Sequence, residues 1–149
     1  MCIVRFPKWE ELPQLDLYLD QVLSYVNQII AQNFNQTDTA LTASMVNNYV
    51  KHGYIPKPIK KKYSQLQVAR LLVITSLKPI FAIQDIWTVI EGLKMESPVL
   101  YNSFVKCMAE ESGEHPEIIR SACQTLKFYY QTQAMLLSLE KEDAHESNS

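Results

Sequence analysis

The chain has 149 residues, of which 47% are hydrophobic, 10% aromatic and 20% charged. This length and composition suit one folded domain and exclude both a large multidomain enzyme and a disordered chain. Only 3 glycines occur, which disfavours a turn-rich β-sandwich and favours helices joined by short connections. The formal net charge of −2 argues against a nucleic-acid partner, but the distribution of the charges along the chain reverses that argument.

The cysteines and the apolar segments indicate the compartment. Cys2, Cys107 and Cys123 are widely spaced and form neither a CxxC motif nor a zinc-ligand pattern, so we predict that they are reduced. The N-terminal sequence contains no apolar stretch long enough for a signal peptide. The most apolar region, residues 68–90, carries several charged residues and Pro79, which argues against a membrane span. We therefore expect a soluble, cytoplasmic protein with no membrane contact.

The first two elements are helices separated by a polar loop. Apolar residues at steps of three and four predict an amphipathic helix over residues 15–30. Residues 33–39 are polar and predict a loop, in which Asp38 or Thr39 is available to cap the next helix. That next helix is short and runs from a cap at Thr42 or Ser44 to about His52.

A break follows this short helix. Gly53 stands where a helix normally ends in the left-handed conformation. Pro56 and Pro58 then forbid a helix, so residues 54–63 predict either an extended connection or a small hairpin.

The remaining chain predicts further helices. Ser64 is a good cap for a helix that ends at Pro79. Three more helices are predicted over residues 83–93, 99–110 and 116 to about 140, followed by a polar tail.

The charges are strongly segregated. Between Asp38 and Asp85 there is no acidic residue, and this window carries a formal charge of +7, whereas the rest of the chain carries −9. Such a distribution predicts one basic face that attracts phosphate. The seven cations are Lys51, Lys57, Lys60, Lys61, Lys62, Arg70 and Lys78.

The short helix has a polar side and an apolar side. At about 100° per residue, the polar side carries Ser44, Asn47, Asn48, Lys51 and His52, and the other side carries Met45, Val46, Tyr49 and Val50. Hydroxyls, amides and cations are the groups that suit base edges and phosphates in a major groove. Directly before a basic, proline-bounded loop, this helix is typical of a recognition helix followed by a wing.

These motifs resemble the winged helix-turn-helix of the MerR family of bacterial transcription regulators. The resemblance rests on residues 49–56, with Gly53 and Pro56 after the helix, on Lys61-Lys62-Tyr63-Ser64, and on residues 81–86. It departs from that family at Asn47 and Asn48, where an Arg-Tyr pair is usual, and in the longer loop before Thr42. Residues 45–58 are still more similar to a bacterial family of small helical proteins, Domain of Unknown Function eighteen-thirty-six.

We accordingly predict an all-α fold with a MerR-like winged helix-turn-helix and a small two-stranded wing. The predicted organisation is an N-terminal helix and loop (1–40), the winged helix-turn-helix (41–95), a C-terminal helical region (96–142) and a disordered tail (143–149).

The last helix predicts self-association. Ile119, Ala122, Leu126, Tyr129 and Leu136 follow alternating steps of three and four, interrupted by Gln133, and this is the interval of a coiled-coil seam. Packing on the same domain accounts for part of this stripe. The MerR resemblance implies a dimer, and we predict a homodimer.

The sequence contains no catalytic motif: His52, His115 and His145 are scattered, and no phosphate loop or nucleophile elbow occurs. The acidic cluster around Gly113, which includes Glu110, Glu111, Glu114, His115 and Glu117, fits a solvated loop better than a metal site. We expect no enzymatic activity, catalytic residue, metal or cofactor.

We therefore predict sequence-specific binding of double-stranded DNA by a bacterial transcription regulator; the sequence does not specify an effector. The alternative is a protein-interaction module of the same shape that uses its last helix or the surface around Trp87 and Ile90. The predicted DNA-binding residues are Thr42, Ser44, Asn47, Asn48, Lys51, His52, Lys57, Lys60, Lys61, Lys62, Tyr63 and Arg70.

Overall fold

The computed structural model describes residues 4–34 and 40–147, with side chains to residue 144. Most of these residues are helical, as the composition predicts. The helices are α1 (Leu19–Phe34), α2 (Ala43–Lys51), α3 (Gln65–Leu77), α4 (Ile83–Gly92), α5 (Ser97–Met108) and α6 (Glu117–Ser147). A 3-10 turn at Trp9–Glu11 and the short strands β1 (Leu17–Tyr18) and β2 (Lys62–Tyr63) complete the described elements.

Helix α3 is the centre of the core. Leu71 and Leu72 are 0% exposed, and Ala69, Ile74 and Leu77, on the other sides of the helix, are 3%, 1% and 7% exposed. A helix that is apolar or small all round must be enclosed by other elements, and α3 packs against α1, α4 and α5. The start predicted at Ser64 and the end before Pro79 are confirmed.

Helix α1 begins later than its sequence predicts. Its buried residues recur at steps of four, at Val22, Val26, Ile30 and Phe34. Leu15 does not join this stripe and is 82% exposed. The predicted start at residue 15 is therefore wrong, because the segment before Leu19 is used as a strand.

That strand forms the small sheet of the molecule. β1 pairs antiparallel with β2, with Leu17 opposite Tyr63 and Tyr18 opposite Lys62. A further bridge joins Ile59 to Lys62, so the chain turns back on itself between them. Of the two predictions for residues 54–63, the small hairpin is confirmed, but it also takes a partner strand from before α1.

Helix α2 has the predicted boundaries. The Thr42 hydroxyl accepts a hydrogen bond from the Met45 N–H at 3.2 Å, which caps the helix. Gly53 has a φ of +78°, the left-handed conformation expected at a helix end. The proposed caps at Asp38 and Thr39 lie outside the described residues, and Asn33, predicted in the loop, lies within α1.

Helix α6 is longer than predicted, and those of its described residues that are buried all lie in its first half. Its core side consists of Ile119, Cys123, Leu126 and Tyr130, so the buried seam is rotated slightly from the predicted one. The backbone remains helical to Ser147, which corrects the predicted end near residue 140 and the disordered tail over 143–147. Residues 148–149 lie outside the described part.

No helix in the described ranges combines the length and apolar character needed to cross a lipid bilayer.

Candidate nucleic-acid interface

The polar face of α2 is exposed as the sequence predicts. Val46 and Tyr49 are 0% and 2% exposed and fix the helix on the core. The opposite side leaves small donors, amides and cations in solvent; these are Ser44, Asn47, Asn48, Lys51 and His52. Thr42 is exposed too, although its hydroxyl already caps α2.

A tight turn with two lysines at its tip lies beyond α2. Ile59 and Lys62 exchange backbone hydrogen bonds of 3.1 and 2.9 Å, and the two residues between them, Lys60 and Lys61, have φ values of 52° and 66°. Positive φ at both central residues is the geometry of a type I′ hairpin turn, which favours Asn-Gly. We call residues 59–62 the lysine hairpin.

The backbone conformation at Lys60 and Lys61 is unfavourable for lysine. A side chain with a β-carbon in the left-handed region costs about 1 kcal/mol or more per residue relative to glycine. Both lysine side chains are exposed, so no buried contact offsets this strain. Strain of this kind points to a function for the side chains that are retained there.

Neighbouring aromatic rings hold two more lysines. The Lys62 amino group lies 5.2 Å from the centre of the Tyr18 ring, across the β1–β2 pair. The Lys78 amino group lies 5.3 Å from the Tyr49 ring of α2. These cation–π contacts limit the motion of both ammonium groups without neutralising them, and the second contact brings the end of α3 next to α2.

The buried side chain of Gln67 supports the segment that leads into the hairpin. Its Nε2 donates to the carbonyl oxygens of Pro56 and Lys57, both at 3.0 Å. Its Oε1 accepts from the Ser64 N–H at 2.6 Å and from the Ser64 hydroxyl at 2.9 Å. Gln67 is absent from the predicted site residues, although Ser64 followed three residues later by Gln67 is the signature of a capping box and identifies it as a positioning residue.

Six lysines of the 38–85 window have no acidic partner within the described part of the chain. Among the described residues, only three ion pairs occur, and none of them involves Lys51, Lys57, Lys60, Lys61, Lys62 or Lys78. All six of these lysines are exposed. We call these lysines, together with the polar side of α2, the basic face.

Two predicted DNA-binding residues are placed differently. Tyr63 is only 4% exposed, because it faces the core from β2, and burial raises the pKa of its hydroxyl. Arg70 has partners outside the hairpin: its Nη1 donates to the Tyr54 carbonyl at 3.3 Å and lies 3.7 Å from Glu91 Oε1. Neither side chain belongs to the basic face, so both are removed from the candidate site.

The turn after α2 is connected to α4 through aromatic rings. The Tyr54 ring lies 6.2 Å from the His52 ring and 6.1 Å, edge to face, from the Trp87 ring. The turn that follows α2 is therefore in contact with α4. Arg70 and Glu91 also meet beside this turn.

The acidic cluster around Gly113 and the two buried cysteines have structural explanations. Glu110 pairs with Lys127 at 3.6 Å, and the His115 Nδ1 lies 2.9 Å from the Ser103 hydroxyl. Burial raises the pKa values of the Cys107 and Cys123 thiols, which disfavours the nucleophilic thiolate. Within the described ranges, no three His, Cys, Asp or Glu side chains are grouped closely enough to hold a metal ion.

The fold and this surface define a small, mostly helical domain in which a lysine-tipped hairpin lies beyond a helix with a polar outer face. Residues 7–104 match the family described as Domain of unknown function (DUF1836). Because the match spans more than half of the chain, the protein belongs to that family. No curated protein and no solved structure matches the chain.

Proposed function

We propose that this protein is a bacterial, cytoplasmic transcription regulator that binds double-stranded DNA in a sequence-specific manner through a MerR-like winged helix-turn-helix. The observation that carries the proposal is the lysine hairpin, where two exposed lysines occupy left-handed positions at a turn that favours Asn-Gly. Exposed ammonium groups that have no acidic partner among the described residues suit the phosphate backbone of a duplex.

The polar face of α2 supplies the sequence-reading part of the proposal. Asn47 and Asn48 are exposed and flanked by Ser44 and Lys51 on the same side of the helix. An asparagine amide forms two hydrogen bonds with adenine in the major groove, and lysine binds guanine or phosphate. In this arrangement α2 enters the groove while the hairpin lies along the backbone as a wing.

In this proposal the regulator acts as a homodimer. Exposed apolar residues recur along α6 at Phe128, Met135 and Leu139, with exposures of 60%, 59% and 59%. Their spacing places them on one side of the helix, opposite Leu126 and Tyr130. A two-fold dimer presents two copies of α2 to a duplex, as the half-sites of bacterial operators require.

The experiment is a fluorescence anisotropy titration with random duplex DNA at several salt concentrations. The variant K60A/K61A/K62A removes the cations of the hairpin. The matched control, K8A/K106A/K141A, removes the same charge from outside the 38–85 window. We expect the hairpin variant to bind more weakly with a flatter salt dependence, by about 0.9 in the logarithmic slope for each lost phosphate contact, and the control to bind like the wild type.

Sequence preference is a separate readout. Selection from a randomised duplex pool should enrich one motif with the wild type and lose it with N47A/N48A, while affinity for random DNA stays nearly constant. If the wild type shows no salt-dependent binding at low salt, or if both triple variants lose affinity equally, the proposal is rejected.

The second candidate is a protein-interaction module, and the exposed apolar residues of α6 favour it. In that case the triple lysine variant retains its partner, whereas M135E/L139E loses it. A co-precipitation experiment with both variants separates the two functions.

A further inference from the structure

A cavity of about 450 Å³ lies on the side of the domain formed by α3, α4, α5 and α6. Its lining is almost entirely apolar and includes Val73, Phe81, Val89, Leu100, Ile118 and Ala122. Helix α3 supplies the floor, and α4 and the α5–α6 pair supply the walls.

The cavity is partly open to solvent, so it is a depression in the surface and not a void in the core. Sites for small organic ligands measure about 300–1,000 Å³ and are mostly apolar with a few polar groups. The cavity has this size and this kind of lining.

Two charged residues contribute to the lining of the cavity. Among the described residues that line the cavity, Arg70 is the only cation and Asp85 the only acid. The Arg70 side chain is 16% exposed, whereas Asp85 lies in solvent. The contact of Arg70 with Glu91 is long, at 3.7 Å, and the Glu91 side chain is 51% exposed, so this ion pair is weak.

The remaining donors of Arg70 are suited to an anion. A guanidinium presents five N–H groups in a planar fork that matches a carboxylate. Among the described residues, partners of Arg70 occur only at Nη1, which contacts the Tyr54 carbonyl and Glu91. We propose that the cavity binds a single-chain amphiphile, with its apolar chain between α4 and the α5–α6 pair and its carboxylate headgroup on Arg70. This inference does not depend on DNA binding, because the cavity shares no residue with the basic face.

The test is isothermal titration calorimetry of the full chain with decanoate below its micelle concentration. Decyltrimethylammonium is the probe of opposite charge and equal chain length. We expect one decanoate per chain and binding of the cation about tenfold weaker or more, as the loss of a charge-assisted contact predicts. The variant R70Q should bind both amphiphiles with similar affinity.

Filling the cavity tests the site itself. A122F places a ring in the lining, and A134F places the same ring on an exposed part of α6. We expect A122F to abolish decanoate binding and A134F to bind like the wild type. If A122F does not fold, as judged by circular dichroism, V89F fills the cavity from α4.

Three results overturn the proposal. One is the absence of saturable decanoate binding by the wild type, and another is binding that A122F and V89F both leave unchanged. The third is a wild-type dimer that A122F dissociates without any decanoate binding, because the cavity would then be closed by a second copy of the chain. Equal affinities for the anionic and cationic probes would refute the assignment of the headgroup to Arg70.

Discussion

The side-chain amide of Gln67 donates a hydrogen bond of 3.0 Å to the carbonyl of Pro56. This contact joins the first turn of the central helix α3 to the segment that leads into the lysine hairpin. The position of the exposed tip therefore depends on a side chain that is only 5% exposed.

We expect Q67M to lower the free energy of unfolding by about 2–4 kcal/mol. Methionine fills a similar volume but leaves the Pro56 and Lys57 carbonyls without their donor and the Ser64 N–H without its acceptor. These groups are partly buried, so each costs less than the full penalty of about 1–3 kcal/mol for a buried unsatisfied group. Urea denaturation measures the effect. The matched control is Q84M on the exposed surface of α4, which should stay within about 0.5 kcal/mol of the wild type. Equal stability of Q67M and Q84M would contradict the role assigned to the amide.

Replacing the tip with Asn-Gly should stabilise the protein and weaken DNA binding together. K60N/K61G gives the turn its preferred residues and removes backbone strain, for a gain of about 1 kcal/mol or more. The same change removes two cations from the basic face, so affinity for random duplex DNA should fall. Thermal unfolding and anisotropy on the same preparations measure both effects.

The control for strain is Lys94, which has a φ of 52° but lies outside the hairpin. K94G removes one strained lysine and one charge, as K61G does. We expect both single variants to gain stability but only K61G to lose DNA affinity. A parallel loss of affinity in K94G would mean that net charge, and not the hairpin, governs binding.

A charge on the exposed apolar side of α6 should dissociate the proposed dimer. M135E/L139E places carboxylates where two copies would meet, and burying an unpaired charge is strongly unfavourable. Sedimentation velocity should show a dimer for the wild type and a monomer for this variant. The control A134E adds a charge at another exposed position of the same helix segment, outside the stripe of Phe128, Met135 and Leu139, and should remain dimeric. A monomeric wild type at micromolar concentration would rule out the dimer.

Stability should decline at alkaline pH through the titration of Tyr130. Burial, with a smaller contribution from Tyr129, raises the pKa of its hydroxyl from 10.0 to about 12. The native state holds this proton more tightly than the unfolded chain does. The contribution of Tyr130 to the free energy of unfolding is therefore complete below pH 10 and is lost as the pH rises to about 12.

Urea denaturation of the wild type and Y130F between pH 8 and pH 12 measures this loss. Phenylalanine keeps the ring that stacks on Phe34, at 3.9 Å between ring centres, and has no proton to lose. The difference in unfolding free energy between the two proteins should shift by about 2 kcal/mol in favour of Y130F over this range. A constant difference would show that Tyr130 titrates normally.

The sequence by itself determined the features that depend on neighbouring residues. The cap at Thr42 or Ser44, the stop at Gly53 and the start at Ser64 are local signals, because capping hydrogen bonds and left-handed turns involve residues three or four apart. The polar side of α2 followed from the helical period alone. The segregation of the lysines is likewise a property of the sequence.

Only the tertiary structure decided which of these residues work together. The pairing of Tyr18 with Lys62 and the contact of Arg70 with Tyr54 join residues distant in sequence, and no local pattern specifies such partners. Tyr63 follows a run of lysines, yet its ring is buried because the strand alternates its faces between Lys62 and Tyr63. The cavity arises in the same way: each of its walls is an ordinary apolar helix side, and the empty volume between them depends on how four helices pack.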